Sequence, residues 1–201
     1  KGKIRNISVT NFDTAHLAEL VAAGIPVGTS QTHYSVSDRR PEKGYLDYLK
    51  QHHIPMLCYG TLSGGFLAER WIGKKMEEPE TRSQVKYMQV IEDSLGWDGY
   101  QQLLLILKDI AEKYGVGISQ VASRYILSQE GVGAAIIGVR NSRHVEDNMR
   151  IFSFELSGED IQRIRSFLEQ YPTVEGEPFQ QERTVGSKYR SIMWMNLSEE
   201  E

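Results

Sequence analysis

One pattern constrains this chain more than any other. A short strand-like run ends in a polar or glycine-bearing tip, and a helical segment follows, again and again. Lys3–Val9 alternates apolar and polar residues as a strand does. Thr14–Ala23 then sets Leu17, Leu20 and Val21 on one helical face, with Thr10 or Asp13 as its cap and Gly24 as a left-handed stop. Pro26–Gln31 leads through THYSVSDRRPE to a helix at Gly44–His52, whose Leu46 and Leu49 face inward. Ile54–Tyr59 ends in GTLSGG, and Ala134–Ile137 stops at Gly138 before a helix that starts near Arg143. Strands that alternate with helices imply parallel pairing and right-handed crossovers. A doubly wound sheet and a (β/α) barrel both fit.

Between Gly65 and Gly133 the pattern gives way to helices: Arg82–Leu95, Gln101–Tyr114 closed by Gly115, and Ser119–Gln129 with Ser119 as N-cap. A last helix is expected at Gly158–Gln170, where Ser157 caps and Glu159 and Asp160 suit the dipole. Residues 171–201, rich in Gly, Pro and charge, read as a surface tail. The expected organisation is therefore one domain over 1–170 and a tail over 171–201.

A net charge of -4 argues against nucleic acid and anionic membrane as partners. The Leu103–Leu107 run is too short to span a bilayer. Cys58 is the only cysteine, so no disulfide framework and no cysteine metal cluster is expected. No secretory signal is visible, and the expected compartment is cytoplasmic or organellar rather than secreted.

In both architectures chemistry sits at the C-terminal ends of the strands. Those ends hold Thr10 and Asn11, then Gln31, then Tyr59–Gly64, then Gly138–Arg143. The last of them joins a buried strand, a glycine turn and a helix start, which is a natural anion site, with Arg140 and Arg143 as planar cations. Each residue also has a plain structural reading. Asn11 can cap a turn, Gln31 can satisfy a buried backbone group, Tyr59 can be core, and the arginines can be solvated. Four strand ends together favour a site for an amide-bearing planar ring joined to phosphate, which describes a nicotinamide dinucleotide.

The segments GKIRNISVTNF, PVGTSQTHYSVSDRRPE, IPMLCYGTLSGGFL and IIGVRNSRHVEDN resemble the aldo-keto reductase family. Their order is similar to the fifth to eighth strands of that family's TIM-type (β/α)8 barrel. The helices in GWDGYQQLLLILKDIAEKYGVGISQVASRYILSQ resemble those before its last strand. The resemblance implies that Thr10, Asn11 and Gln31 hold the nicotinamide carboxamide and that Tyr59 stacks on the ring. It implies that Gly60, Thr61, Leu62, Ser63 and Gly64 line the pyrophosphate. Gly138, Val139, Arg140, Arg143 and His144 would face the 2′-phosphate, and Asp147 and Asn148 the adenine. Asp147 stands where a Glu is usual. Basic residues and no ribose-binding acid favour NADP over NAD.

The family's catalytic tyrosine, lysine, aspartate and histidine belong to the first four strands, and their motifs do not occur in these residues. The expectation is thus the C-terminal, cofactor-binding half of an NADP-dependent reductase of small carbonyl compounds, as a fragment, with no catalytic residue and no metal of its own. His33 and Tyr34 are set aside as substitutes, because no lysine follows a strand to shift a proton donor. The alternative is a non-catalytic NADP(H)-binding or regulatory half-barrel that dimerises through open edges. Aromatic residues Trp71, Trp97 and Trp194 mark the segments expected to shape a substrate pocket, or to pack a surface helix.

Overall fold

A computed structural model describes residues 1–139 and 141–192, except the side chain of Arg143. Four strands form one all-parallel sheet in chain order: β1 (Ile7–Thr10), β2 (Val27–His33), β3 (Met56–Tyr59) and β4 (Val132–Ile136). Chain order in a parallel sheet, with helices as crossovers, is the staircase expected of a barrel and not the reversal of a doubly wound sheet.

The strands differ from expectation at their ends. β1 begins at Ile7 rather than Lys3, because pairing with β2 starts at Ile7–Val27. β2 runs on to His33, which pairs with Tyr59. β3 starts at Met56 and β4 at Val132, each displaced by two residues from the predicted start.

Register sorts the side chains into two faces. Val9, Ser30 and Met56 share the outer face, as do Thr32 and Cys58. This face is covered by α1 (Thr14–Ala22), α2 (Tyr45–Gln51), α4 (Gly96–Tyr114) and α5 (Ile118–Leu127), and Leu17, Leu49, Leu103, Leu107 and Ile126 complete the core. Buried Cys58 has its thiol pushed up to about 12 by desolvation. The inner face carries Thr10, Gln31, Leu57 and Ala134 in one row and His33, Tyr59 and Ile136 in the next. It is open beside β4, where Ile136 is 44% exposed.

Local signals explain most helix bounds. Asp13, not Thr10, caps α1, its carboxylate accepting the His16 N–H at 2.9 Å. Gly24 takes the predicted left-handed conformation (φ 73°). α3 (Arg82–Ser94) opens on a capping box between Thr81 and Gln84. α5 starts at Ile118 behind Gly117, so Ser119 lies inside the helix and is not its cap. α6 (Arg143–Met149) is a short helix, and α7 (Gly158–Leu168) is capped by Ser157 as predicted.

The segment after α7 is built into the fold as far as residue 192. α8 (Pro178–Arg183) and a 3-10 turn at Arg190–Ile192 lie in it. Glu182 and Tyr189 are buried. Trp194 lies outside the described residues, and no helix among those described is long and apolar enough to cross a membrane.

Candidate active site

Tyr59, the last residue of β3, organises the strand ends. Its hydroxyl donates to Asn11 Oδ1 at 2.8 Å. Asn11 sits in the left-handed region (φ 54°), and its backbone N–H donates to the Gln31 carbonyl at 2.8 Å. A non-glycine residue held there marks a position fixed by its surroundings. Thr10 pairs with Gln31 in the ladder. The fold thus brings together Thr10, Asn11, Gln31 and Tyr59.

β3 then turns through Gly60–Gly65. Gly60 (φ 71°) and Gly64 (φ 64°) require glycine, since a Cβ at Gly60 would lie 2.7 Å from both His33 Cδ2 and Tyr87 Oη, and one at Gly64 2.5 Å from Tyr87 Cδ2. A cavity of about 350 Å³ opens beside this turn, lined by Gly60, Thr61, Leu62, Gly64, Ser83, Tyr87, Ile136, Ile137 and Gly138 among others. The predicted glycine turn and the predicted end of β4 therefore share one cavity. Thr61 Oγ1 is buried with no hydrogen-bond partner among the described residues, which fits a site for a polar ligand. Ser63 differs: its hydroxyl bonds Ser37 Oγ at 2.7 Å and faces away from the cavity.

Beyond β4, Val139 is 54% exposed and Gly138 has open space around it. His144 is half-buried, Asp147 is exposed, and the Asp147 carbonyl accepts from Gln120 Nε2 at 2.9 Å. Asn148 is half-buried near the end of α6. Arg140 and the Arg143 side chain lie outside the described residues.

A buried charge cluster beside Tyr59 is the part that sequence reasoning set aside. His33 stacks near Tyr59, with ring centroids 5.6 Å apart at 17°. Its Nδ1 lies 2.6 Å from Asp38 Oδ2, and Arg40 also grips Asp38, with Nε to Oδ1 at 2.8 Å. His33, Asp38 and Arg40 are nearly inaccessible. Burial lowers the His33 pKa, outweighing the pull of Asp38. Burial would raise Asp38, but the Arg40 charge and the hydrogen bonds from Arg40 and His33 hold its carboxyl well below the usual range. His33 therefore stays neutral, donates through Nδ1, and leaves Nε2 buried without a partner among the described residues.

A lysine also reaches this site. Lys86 comes from α3 and places Nζ 3.5 Å from the Tyr59 oxygen and 2.6 Å from Glu182 Oε1. No lysine directly follows a strand, but α3 folds over the Gly60–Gly65 turn, with Tyr87 against both glycines, and so brings Lys86 to the strand ends. Desolvation still raises the Tyr59 pKa, and Glu182 adds to the rise. Tyr59 is therefore a neutral hydrogen-bonding ring rather than an acid poised near neutrality.

An all-parallel α/β sheet with its polar residues at the C-terminal strand ends is the arrangement of barrel enzymes. The chain belongs to the Aldo/keto reductase family, whose sequence profile matches residues 1–169. It is similar to the Bacillus subtilis aldo-keto reductase YhdN, at 31% identity over 84% of this chain and 50% of that protein. It is also similar to the Schizosaccharomyces pombe aldo-keto reductase yakc [NADP(+)], at 26% identity over 82% of this chain and 48% of that one. The glycerol dehydrogenase AKR11B4 from Gluconobacter oxydans shares the fold with a TM-score of 0.71 and 23% identity, over 88% of this chain and 53% of that one. The chain spans about half the length of these relatives.

Proposed function

We propose that this chain is the cofactor-binding, C-terminal half of an NADP-dependent aldo-keto reductase, corresponding to strands five to eight of the barrel. One observation carries the reading: the Tyr59–Asn11–Gln31 group and the Gly60–Gly65 cavity open side by side at the strand ends. The name of the Schizosaccharomyces pombe relative, with its NADP(+), supports the choice of cofactor. In this reading Asn11, Gln31 and Thr10 hold the carboxamide and Tyr59 supports the ring. Gly60, Thr61, Leu62 and Gly64 admit the pyrophosphate, Ser63 braces the turn from behind, and Gly138, Val139, Arg140, Arg143 and His144 face the 2′-phosphate. Asp147 and Asn148 hold the adenine. Bound NADPH supplies hydride for a small carbonyl substrate, and these residues orient it.

Titration of protein fluorescence tests the assignment. NADPH should change the signal at lower concentration than NADH, and replacing Arg140 and Arg143 by Ala should erase the difference. Equal response of the wild-type chain to both would overturn the 2′-phosphate assignment.

The open inner face favours a second reading. Exposed Ile7 and Ile136, on the two edge strands, suit a half-barrel that binds NADP(H) and self-associates. Light scattering on the isolated chain discriminates: a monodisperse monomer would sink it.

A further inference from the structure

The residues after α7 make contacts that a solvated tail would not make. Glu177 accepts the backbone N–H and the hydroxyl of Thr14, both at 2.7 Å, at the start of α1. Phe179 lies against the His16 ring, with centroids 4.4 Å apart. Glu182 is only 2% exposed and pairs with Lys86. Tyr189 bonds to Asp93 on α3, and the Arg40 guanidinium lies 5.6 Å from its ring centroid. The segment 177–189 therefore runs from the start of α1 to α3, held by hydrogen bonds, ring contacts and ion pairs.

One of these contacts is left incomplete. Glu182 Oε1 meets Lys86, but Oε2 is buried with no partner among the described residues. A buried carboxylate with half its capacity unmet is held weakly, since desolvation offsets much of the attraction. Lys86 meanwhile stands at the edge of the same candidate site. Nζ is beside the Tyr59 hydroxyl, Tyr59 leads into Gly60, and Ser83 and Tyr87 of the same helix line the Gly60–Gly65 cavity.

We infer that residues 177–189 are an intramolecular strap whose Glu182 carboxylate occupies Lys86, and that a dinucleotide phosphate displaces Glu182 and takes Lys86 for itself. Lys86 is then a further phosphate-binding residue, masked in the free chain. The inference rests on the cofactor reading given above. A site whose open form is a minority binds its ligand more weakly by that fraction, and unmasking restores the affinity.

The test measures NADPH affinity by calorimetry, together with the rate of tryptic cleavage at Arg183, Lys188 and Arg190, in the full-length chain and in Glu182→Gln, Lys86→Met and Lys86→Arg. In wild type NADPH should speed cleavage, while inorganic phosphate at the same concentration should do so weakly. Glu182→Gln should be cleaved quickly without ligand and should bind NADPH about three- to tenfold more tightly. Lys86→Met should also be cleaved quickly but bind more weakly than wild type, and Lys86→Arg should restore both properties. Equal affinity in wild type and Glu182→Gln, or a strap that NADPH protects, would overturn the strap while leaving the cofactor reading intact. Absence of NADPH binding in every variant would overturn the cofactor reading, and the displacement with it.

Discussion

On the outer face of the sheet, Met56, Cys58 and Leu107 sit in one apolar cluster beneath the helices. Above the strand ends, His33, Asp38, Arg40 and Glu182 are about as deeply buried, and all are polar or charged. The first region is held by area removed from water, which depends little on salt or pH. The second is held by a few directed contacts, each worthless without its partner. Stability therefore belongs to the helix side of the sheet and adaptability to the strand-end side, as expected where a site must admit a ligand.

Three substitutions probe that contrast, beginning with the largest effect. Asp38→Ala strands Arg40 and His33 in a buried place and should cost about 3–5 kcal/mol by denaturant unfolding. A cost below that of a surface pair would mean water already reaches the cluster. Leu107→Ala, fully buried on α4, should cost about 2–5 kcal/mol, with no change in the salt dependence of the melt. If salt dependence did change, the two regions would not be independent.

The smallest effect sits at the seam between α4 and α7. Asp160 Oδ2 accepts from Lys113 at 2.7 Å, Tyr114 at 2.5 Å and Ser157 at 2.6 Å. Burial pushes its pKa up, but these donors outweigh burial and hold it at about 2. A carboxyl so depressed lends stability that is present above its unfolded pKa of about 4 and is lost as pH falls toward the folded one. Thermal melts from neutral pH downward should show this loss, and Asp160→Asn should flatten it while costing about 1–3 kcal/mol at neutral pH. An unchanged acid limb in the variant would mean that the loss comes from Asp38 and its partners instead.

The parallel alternation was legible because each strand carries its own turn and each helix its own caps, and such signals are local. Strand ends were less so. Lys3–Asn6 alternates like a strand, but the paired ladder begins only at Ile7 and Val27, so pairing and not pattern sets the start. In the candidate site, the glycine turn and Asn11 could be read from residue type. His33 is set aside in the sequence for want of a lysine after a strand, and the two residues that β2 adds beyond Gln31 are what aim it at Tyr59. The acid five positions on and the base seven positions on were the available signal, in the run THYSVSDRR. Lys86 and Glu182 are 96 residues apart in sequence, in two separate helices. No local rule joins such a pair, and only the fold does.

Cys58 turns the sheet into its own clock. The sole thiol of the chain lies in β3 with a neighbouring strand on either side, and its proton is held to about pH 12. The thiolate is the species that reacts, so an alkylating reagent at neutral pH meets almost none of it in the closed sheet. Label accumulates only as fast as the helices lift from the outer face of the sheet, and the speed of a single covalent reaction reads the rate at which that layer opens.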